Sequence, residues 1–491
     1  MKHFLLSIIL ISFTVSFAQT SQPYSIRMAD SQMKRSGVIT KWDYPVGLFM
    51  ESILKVNYKY GEQKYYDYVK NHANTVINTN GKIGASYNFL SFNIDYVCPG
   101  MFLMGIYEGE QAAANSDKRY TIALDTLRKQ LQSHPRNSFG GFWHKKIYPN
   151  QMWLDGIFMG SRFYARYDLK FNEGKNLDDV IHQFTLIHGR TYDTEKQLNY
   201  HAWAEYPNDP NAFWSIKEEG KFNGCSHEFW SRGIGWYFAA AVDVLEMLPA
   251  DYTQGRNEII KIINDIAVGI KRYQDKETGL WYQLTEYDSN TCSNGKCNWL
   301  EASSSSMFTY ALFKAIRLGA ISSEDYLSTA VKAYNGLINN LITTGADGSI
   351  SLNDVCRSAG LGPASSPQRD GTIKYYLTGS DAGDRVSNSL IGVGPFIMAS
   401  LEYESAMENT ASVNYIYNDN HIQLSYDNAS KQLNIKNASP HDINVDIYNI
   451  SGCKMDSVTC TRDFSLALSS YPQGYYIANI DHSEAYKFMI W

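Results

Sequence analysis

Asp155 stands alone in an apolar run, Met152-Trp153-Leu154-Asp155-Gly156-Ile157-Phe158-Met159. Taken out of water, such a carboxylate either finds hydrogen-bonding partners or is driven toward its protonated form. The protonated form is what a general acid needs at neutral pH. The competing reading is a core aspartate that caps a neighbouring helix or pairs with an arginine. Other residues of the same chemical range accompany it. His144 and Lys145 lie in the loop Gly140-Gly141-Phe142-Trp143-His144-Lys145, and His201 lies in Asn199-Tyr200-His201-Ala202-Trp203. Arg232, between Trp230 and Trp236, is of a type to grip a carboxylate while the indoles pack on a ring. Glu301, before four serines, reads equally as a helix cap or a ligand contact, and Asp43 reads mainly as a cap.

These residues need helices to bring them together. Apolar residues at three and four spacing predict helices near 25–35, 43–59, 62–78, 98–112, 117–133, 152–167, 174–190, 229–247, 256–274, 301–318, 322–341 and 388–406. A string of helices without intervening strands excludes a βαβ fold and leaves a bundle array or a closed double ring of hairpins. The absence of a fixed repeat speaks against a regular solenoid. The outliers fall at the starts of alternate helices: Trp42-Asp43-Tyr44, Asp95, Trp153 with Asp155, Trp230 to Trp236, and Trp299 to Ser303. In a closed ring those starts converge on one face, where their positive ends favour an anionic ligand.

Past residue 412 the pattern alternates with period two at 422–424, 433–435, 443–447, 476–480 and 487–490, which predicts a small all-β sandwich over 413–491. The 491-residue chain, 44% hydrophobic, is long enough for more than one core. A formal net charge of -6 and the lack of a Lys/Arg block argue against nucleic acid. Residues 1–18, a short basic start followed by an apolar run ending at Ala18, read as a secretory signal peptide, so the protein is expected to be exported, to the periplasm or beyond the cell. No later segment offers the ~20 apolar residues of a transmembrane span. Cys292 and Cys297 flank an Asn-Gly turn and could bridge in an oxidising compartment, as could Cys453 and Cys460. No CxxC pair or clustered His suggests a metal.

Five motifs in order carry a resemblance: Met152-Trp153-Leu154-Asp155-Gly156, Trp230-Ser231-Arg232-Gly233-Ile234-Gly235-Trp236, Gly279-Leu280-Trp281-Tyr282-Gln283, Leu300-Glu301-Ala302-Ser303 and Gly392-Val393-Gly394-Pro395-Phe396. Over roughly 25–405 the chain resembles the unsaturated rhamnogalacturonyl hydrolases, glycoside hydrolase family 105, related to family 88. The resemblance implies an (α/α)6-barrel catalytic domain, all-α, without metal or organic cofactor. It implies a substrate with a 4,5-unsaturated uronic acid at the non-reducing end, left there by a polysaccharide lyase. Asp155 matches the family's general acid/base, delivering a proton to C4 while water adds at C5, and Asp95 matches the second carboxylate, whose charge would help hold Asp155 protonated. By the same match Tyr44, His144, Lys145, His201, Trp230, Arg232 and Trp236 would line the uronate pocket. The chain departs from the pattern at Ala204, where family members often carry an acidic residue. The tail, Val445 to Gly452 followed by Tyr471 to Ile477, is similar to sorting domains of the type IX secretion system, with a carbohydrate-binding or structural appendage as the other reading.

The function this implies is removal of the unsaturated uronate by hydration of its C4=C5 bond, which opens the ring and frees the remaining sugar. The alternatives are an unsaturated β-glucuronyl hydrolase acting on ulvan, arabinogalactan or glycosaminoglycan products, a non-catalytic oligosaccharide-binding protein, and a lyase or conventional hydrolase of intact polysaccharide.

Overall fold

The computed structural model describes residues 22–113, 117–410, 413–418, 422–427, 430–449, 454–471, 474–481 and 484–490. The expected signal peptide and Cys453 lie outside them. Twelve long helices occur among the described residues: α1 Tyr24–Ser36, α2 Tyr44–Tyr60, α3 Gln63–Val76, α4 Gly100–Ala112, α5 Lys118–Ser133, α7 Arg162–Phe171, α8 Leu177–Thr191, α9 Ser231–Met247, α10 Thr253–Arg272, α11 Ala302–Arg317, α12 Ser323–Gly336 and α14 Leu390–Thr410. Two short ones, α6 Leu154–Gly156 and α13 Ile373–Thr378, sit where loops meet the helix starts.

Burial sorts the long helices into two kinds. In α9 every residue from Ser231 to Leu245 is buried, and in α11 every residue from Ala302 to Ala315. Helices hydrophobic on all sides belong inside. By contrast α10 buries Ile259, Ile262, Ile263, Ile266 and Ile270, a single stripe at three and four spacing, and α3 buries only Tyr65, Val69, His72, Ala73 and Val76. Neighbour relations follow the same division: α2 packs on α4, α4 on α7, α7 on α9, α9 on α11, α11 on α14, and α14 back on α2. The amphipathic helices lie against these, α1 on α14, α3 on α2, α5 on α4, α10 on α9 and α12 on α11. Each fully buried Ile or Leu of this core contributes about 1.5–3 kcal/mol.

Close approach of the inner helices depends on glycine. A Cβ on Gly47 of α2 would lie 2.7 Å from Cα of Pro99, and one on Gly394 of α14 would lie 2.8 Å from Leu48 Cγ. Inside the same layer an ionic cluster ties four helices together. Arg162 of α7, fully buried, pairs with Glu51 of α2 and, at 2.7 Å, with Asp243 of α9, which Lys314 of α11 also meets at 2.6 Å.

The sixth expected helix, 152–167, is built otherwise. Gln151–Trp153 is a short strand, followed by α6, a π-helical turn Ile157–Ser161, and then α7. The strand pairs antiparallel with Ala202–Ala204, with Trp153 opposite Ala202. Backbone pairing with a distant segment has overridden a helical pattern. The π turn adds a residue to the helical register immediately after Asp155, a device found often at functional sites.

The described C-terminal residues form two antiparallel four-stranded sheets. One runs Val413–Asn418, Ile422–Asp427, Gln432–Asn437, Phe464–Ala467; the other runs Lys454–Cys460, Ile443–Asn449, Gly474–Ile480, Glu484–Ile490. Leu424, Leu433 and Ile435 of the first share an apolar cluster with Val445, Ile447 and Ala478 of the second, so the period-two alternation places one face of each sheet inward. The expected Cys292–Cys297 bridge is present and closes the hairpin of Cys292–Ser293 and Lys296–Cys297, which lies against α13. No helix among the described residues is long and apolar enough to cross a membrane.

Candidate active site

The starts of the inner helices supply the polar groups. Tyr44 opens α2, Asp95 lies in the 3-10 turn Ile94–Val97 before α4, Asp155 lies in α6, Arg232 opens α9 and Glu301 caps α11. They converge: the Tyr44 hydroxyl feels the charges of Arg232, Asp95 and Asp155 together. Burial, the largest influence, and those carboxylates hold its pKa above the usual phenol value, so Tyr44 is a neutral hydroxyl there.

Asp155 is 9% exposed. Its Oδ2 lies 3.1 Å from Nε2 of His201, brought there by the strand pairing of Gln151–Trp153 with Ala202–Ala204 and by the Leu154 N–H, which donates to the His201 carbonyl at 3.0 Å. The ionisation of Asp155 corrects the expectation from its apolar neighbours. Burial does push its pKa up, but the charge and hydrogen bond of His201, with a smaller pull from His144, prevail and hold it below the usual carboxylate value. Asp95, the expected neighbouring anion, has its own cation. Its Oδ2 is 2.7 Å from Lys145 Nζ, and its Oδ1 is 3.5 Å from His144 Nε2, so its charge is compensated locally. Burial works against the Lys145 ammonium, yet Asp95 keeps its pKa above the ordinary lysine value.

His144 joins the two carboxylates. Its ring stacks on Trp153, centroids 4.4 Å apart and planes 7° from parallel. Gly156 makes room for it, because a Cβ there would stand 3.2 Å from His144 Nδ1. Burial lowers the His144 pKa to about 4, the Asp95 and Asp155 charges only partly opposing it, so at neutral pH His144 is an uncharged imidazole. Among the described residues its Nδ1 is buried with no hydrogen-bond partner, as is the indole Nε1 of Trp230.

Arg232 is 1% exposed and its carbon lies 4.9 Å from the Trp230 ring centroid. Nη1 donates to the Cys356 carbonyl at 2.6 Å and to Ser303 Oγ at 3.3 Å. Burial opposes its charge, but Cys356, Glu301, Tyr44 and Asp155 together hold its pKa above the usual value. Trp236 closes the floor, edge-on to Tyr44 at 6.2 Å and tilted on Phe158 at 4.6 Å.

The two readings of Glu301 are decided in favour of the cap. Its carboxylate accepts from Ser303 N–H at 3.1 Å, Ser304 N–H at 2.7 Å, Ser303 Oγ at 2.8 Å and Cys356 N–H at 2.9 Å. Asp43 likewise caps α2, accepting from Val46 N–H at 3.1 Å. The positive ends of α2 and α11 are therefore occupied by the chain's own carboxylates, contrary to the expectation that all helix ends face an anionic ligand.

Sequence reasoning missed Tyr376 of α13, whose hydroxyl lies 2.8 Å from His201 Nδ1. Thr372, capping Tyr375 N–H ahead of Ile373-Lys374-Tyr375-Tyr376-Leu377, was the signal for that short helix.

Residues 24–407 match Glycosyl Hydrolase Family 88, and residues 428–490 match the secretion system C-terminal sorting domain. A stretch of 247 residues, 50% of this chain, is 32% identical to the Agrobacterium fabrum protein Atu3128 and covers 97% of it. The structure of a C. acetobutylicum glycoside hydrolase from family 105 superposes with a TM-score of 0.71 at 39% identity, covering 78% of this chain and 100% of that one. The unsaturated glucuronyl hydrolase of Bacillus sp. GL1 shares the fold at 12% identity, with a TM-score of 0.54 over 78% of this chain and 95% of its own. The C-terminal match marks the chain as exported through the type IX secretion system.

Proposed function

This chain belongs to glycosyl hydrolase family 88 and is an unsaturated uronyl glycosidase, and we propose that it removes 4,5-unsaturated uronic acid from lyase-generated oligosaccharides in the manner of the unsaturated rhamnogalacturonyl hydrolases. The greater likeness to the family 105 enzyme, 39% identical against 12% for the glucuronyl hydrolase, favours that substrate class. The neighbour sequence of α2, α4, α7, α9, α11 and α14, returning to α2, supports an (α/α)6 barrel for the helical domain.

The observation that carries the mechanism is the buried hydrogen bond between Asp155 and His201, set beside the compensated pair of Asp95 and Lys145. Asp155 and His201 are joined by this hydrogen bond, along which a proton can pass between them. With the proton on Asp155, the acid adds it to C4 as water attacks C5, and the water proton returns to the pair. The product at C5 is a hemiketal; it opens to a ketone, freeing the ring oxygen to C1, and the resulting hemiacetal at C1 expels the remaining sugar as an alcohol. No bond to the enzyme forms, so the carboxylate-separation rule of retaining and inverting glycosidases does not govern this site. Arg232, Lys145 and the neutral hydroxyl of Tyr44 are the groups for the substrate carboxylate.

The test is loss of the ultraviolet absorbance of the conjugated double bond. Asp155→Asn is expected to lower turnover by at least ~10²-fold, the minimum for a lost general acid, with the helical circular dichroism unchanged. Turnover near wild type would sink the mechanism. The same assay over rhamnogalacturonan, ulvan, arabinogalactan and glycosaminoglycan lyase products ranks the substrates, and a preference for a glucuronyl product would replace the rhamnogalacturonyl reading.

A further inference from the structure

His201 is gripped at both ring nitrogens. Nε2 faces Asp155 Oδ2 at 3.1 Å, and Nδ1 faces the hydroxyl of Tyr376 at 2.8 Å. Tyr376 is fully buried, with its ring stacked on Trp230 at a centroid distance of 6.1 Å and 23° between planes. Trp230 in turn lies 4.5 Å from the His201 ring. The phenol lies on the side of the imidazole opposite Asp155.

A phenol in that place has a chemical use. When His201 is an imidazolium, both nitrogens donate, and the Tyr376 oxygen accepts from Nδ1–H. When His201 is neutral with its proton on Nε2, Nδ1 becomes an acceptor and the phenol O–H turns to donate to it. A backbone carbonyl serves only the first state. Burial holds Tyr376 far above the ordinary phenol range, so the hydroxyl proton stays in place throughout.

We propose that Tyr376 is a positioning residue that keeps His201 aimed at Asp155 in both protonation states, allowing the pair to give up a proton and regain it without an unpaired ring nitrogen. This rests on the reading of Asp155 and His201 as the proton-transfer pair. The ionisable groups around that pair and its phenol are Tyr44 at the start of α2, His144 and Lys145 from the loop before Gln151–Trp153, Asp155 in α6, Glu228 and Arg232 at the start of α9, Cys356, and Tyr375 with Tyr376 from α13. A Tyr376→Phe variant loses the hydroxyl that accepts from the imidazolium and donates to the neutral ring, and the buried charged N–H loses more than the neutral nitrogen. The imidazolium then carries a buried N–H without a partner, which disfavours it. His201 must therefore lose its proton at lower pH, and the alkaline limb of the rate profile must move the same way.

The full-length chain with 15N-labelled histidine reports on His201 directly, its signals assigned by their loss in His201→Gln. In Tyr376→Phe the His201 titration midpoint is expected to move to lower pH. With the unsaturated oligosaccharide, kcat is expected to fall about tenfold to a hundredfold, as for other lost orienting groups, with KM nearly unchanged. In a His201→Gln background the same substitution should have no further effect on kcat. An unchanged His201 midpoint, or an equal loss of kcat in the His201→Gln background, would overturn the proposal. If Tyr376→Phe does not fold, 3-fluorotyrosine placed at position 376, a weaker acceptor of nearly the same shape, must shift the midpoint in the same direction; no shift overturns the proposal. Should the wild type fail to consume any unsaturated substrate, the functional reading fails, while the His201 titration still decides the role of Tyr376.

Discussion

Replacing His201 by glutamine tests why Asp155 is ionised in the free enzyme. The pair is buried, with 3.1 Å between Nε2 and Oδ2, and when His201 carries its second proton, two unit charges at that distance attract by about 5 kcal/mol at an effective dielectric near 20. Glutamine retains an N–H donor and removes the charge. What remains around Asp155 is burial, which pushes its pKa up, against the smaller pull of His144 and a backbone hydrogen bond. A tenfold change in an ionisation equilibrium takes 1.36 kcal/mol, so losing even a quarter of that attraction is enough to be measured. The expected outcome is an Asp155 carboxyl that stays protonated to distinctly higher pH. Difference infrared spectra between His201→Gln and the double variant His201→Gln, Asp155→Asn isolate its C=O stretch across a pH series. The wild-type pair, by contrast, has a depressed Asp155 pKa; its ion pair stabilises the fold above the usual carboxylate pKa and is withdrawn as pH falls through the folded value. A carboxyl that titrates identically with and without His201 would refute the assignment of its ionisation to that histidine.

Two further substitutions address the scaffold. Arg162→Met leaves Glu51 and Asp243 buried without their shared cation, and breaking such a pair costs about 3–5 kcal/mol. Urea unfolding should read that loss, and a change below ~1 kcal/mol would refute it. Burial opposes ionisation of Asp243, yet Arg162 and Lys314 hold its pKa far below the usual value. The cluster's contribution in the wild type is therefore complete above roughly pH 5 and disappears progressively on acidification. Glu301→Gln turns an amide N–H2 toward some of the four donors now served by the carboxylate, at a cost of about 1–3 kcal/mol. Because Ser303 links Glu301 to Arg232, KM for the unsaturated uronate should rise more than kcat falls; equal kinetics at reduced stability would confine Glu301 to capping.

The sequence made the helices legible because an inner helix and an outer one both repeat at 3.6 residues, and every expected segment but the sixth, 152–167, coincides with a long helix. The outliers were legible for the same reason: Tyr44, Asp95, Asp155 and Arg232 break apolar patterns at helix starts, and the fold gathers those starts around the Tyr44 hydroxyl. Two things escaped. Periodicity assigned Met152 and Trp153 to a helix, since nothing local reveals that Ala202–Ala204, some 50 residues on, offers a strand partner. It also cannot see the π turn Ile157–Ser161, which differs from an α turn by one residue of register.

The miss at Met152 and Trp153 and the wrong ionisation expected for Asp155 have one origin. An apolar run around a carboxylate predicts a raised pKa only if no charge arrives from elsewhere in the chain. The strand at Gln151–Trp153 is what brings one, because pairing with Ala202–Ala204 sets His201 against Asp155. The same pairing then requires an answer for the far side of that imidazole, and Tyr376, 175 residues further along, provides it. Local sequence therefore singles out the proposed proton donor, while its protonation state belongs to contacts of long sequence separation. In the resting enzyme Asp155 is a carboxylate beside His201. A proton donor in that state has to take the shared proton when the anionic uronate enters, since a second negative charge nearby favours the neutral acid. Substrate binding at fixed pH should consequently leave the Asp155 carboxyl more protonated than in the free enzyme. Infrared difference spectra of wild type with a saturated uronate analogue test this, and a carboxylate that remains fully ionised in the complex would make His201, not Asp155, the immediate donor.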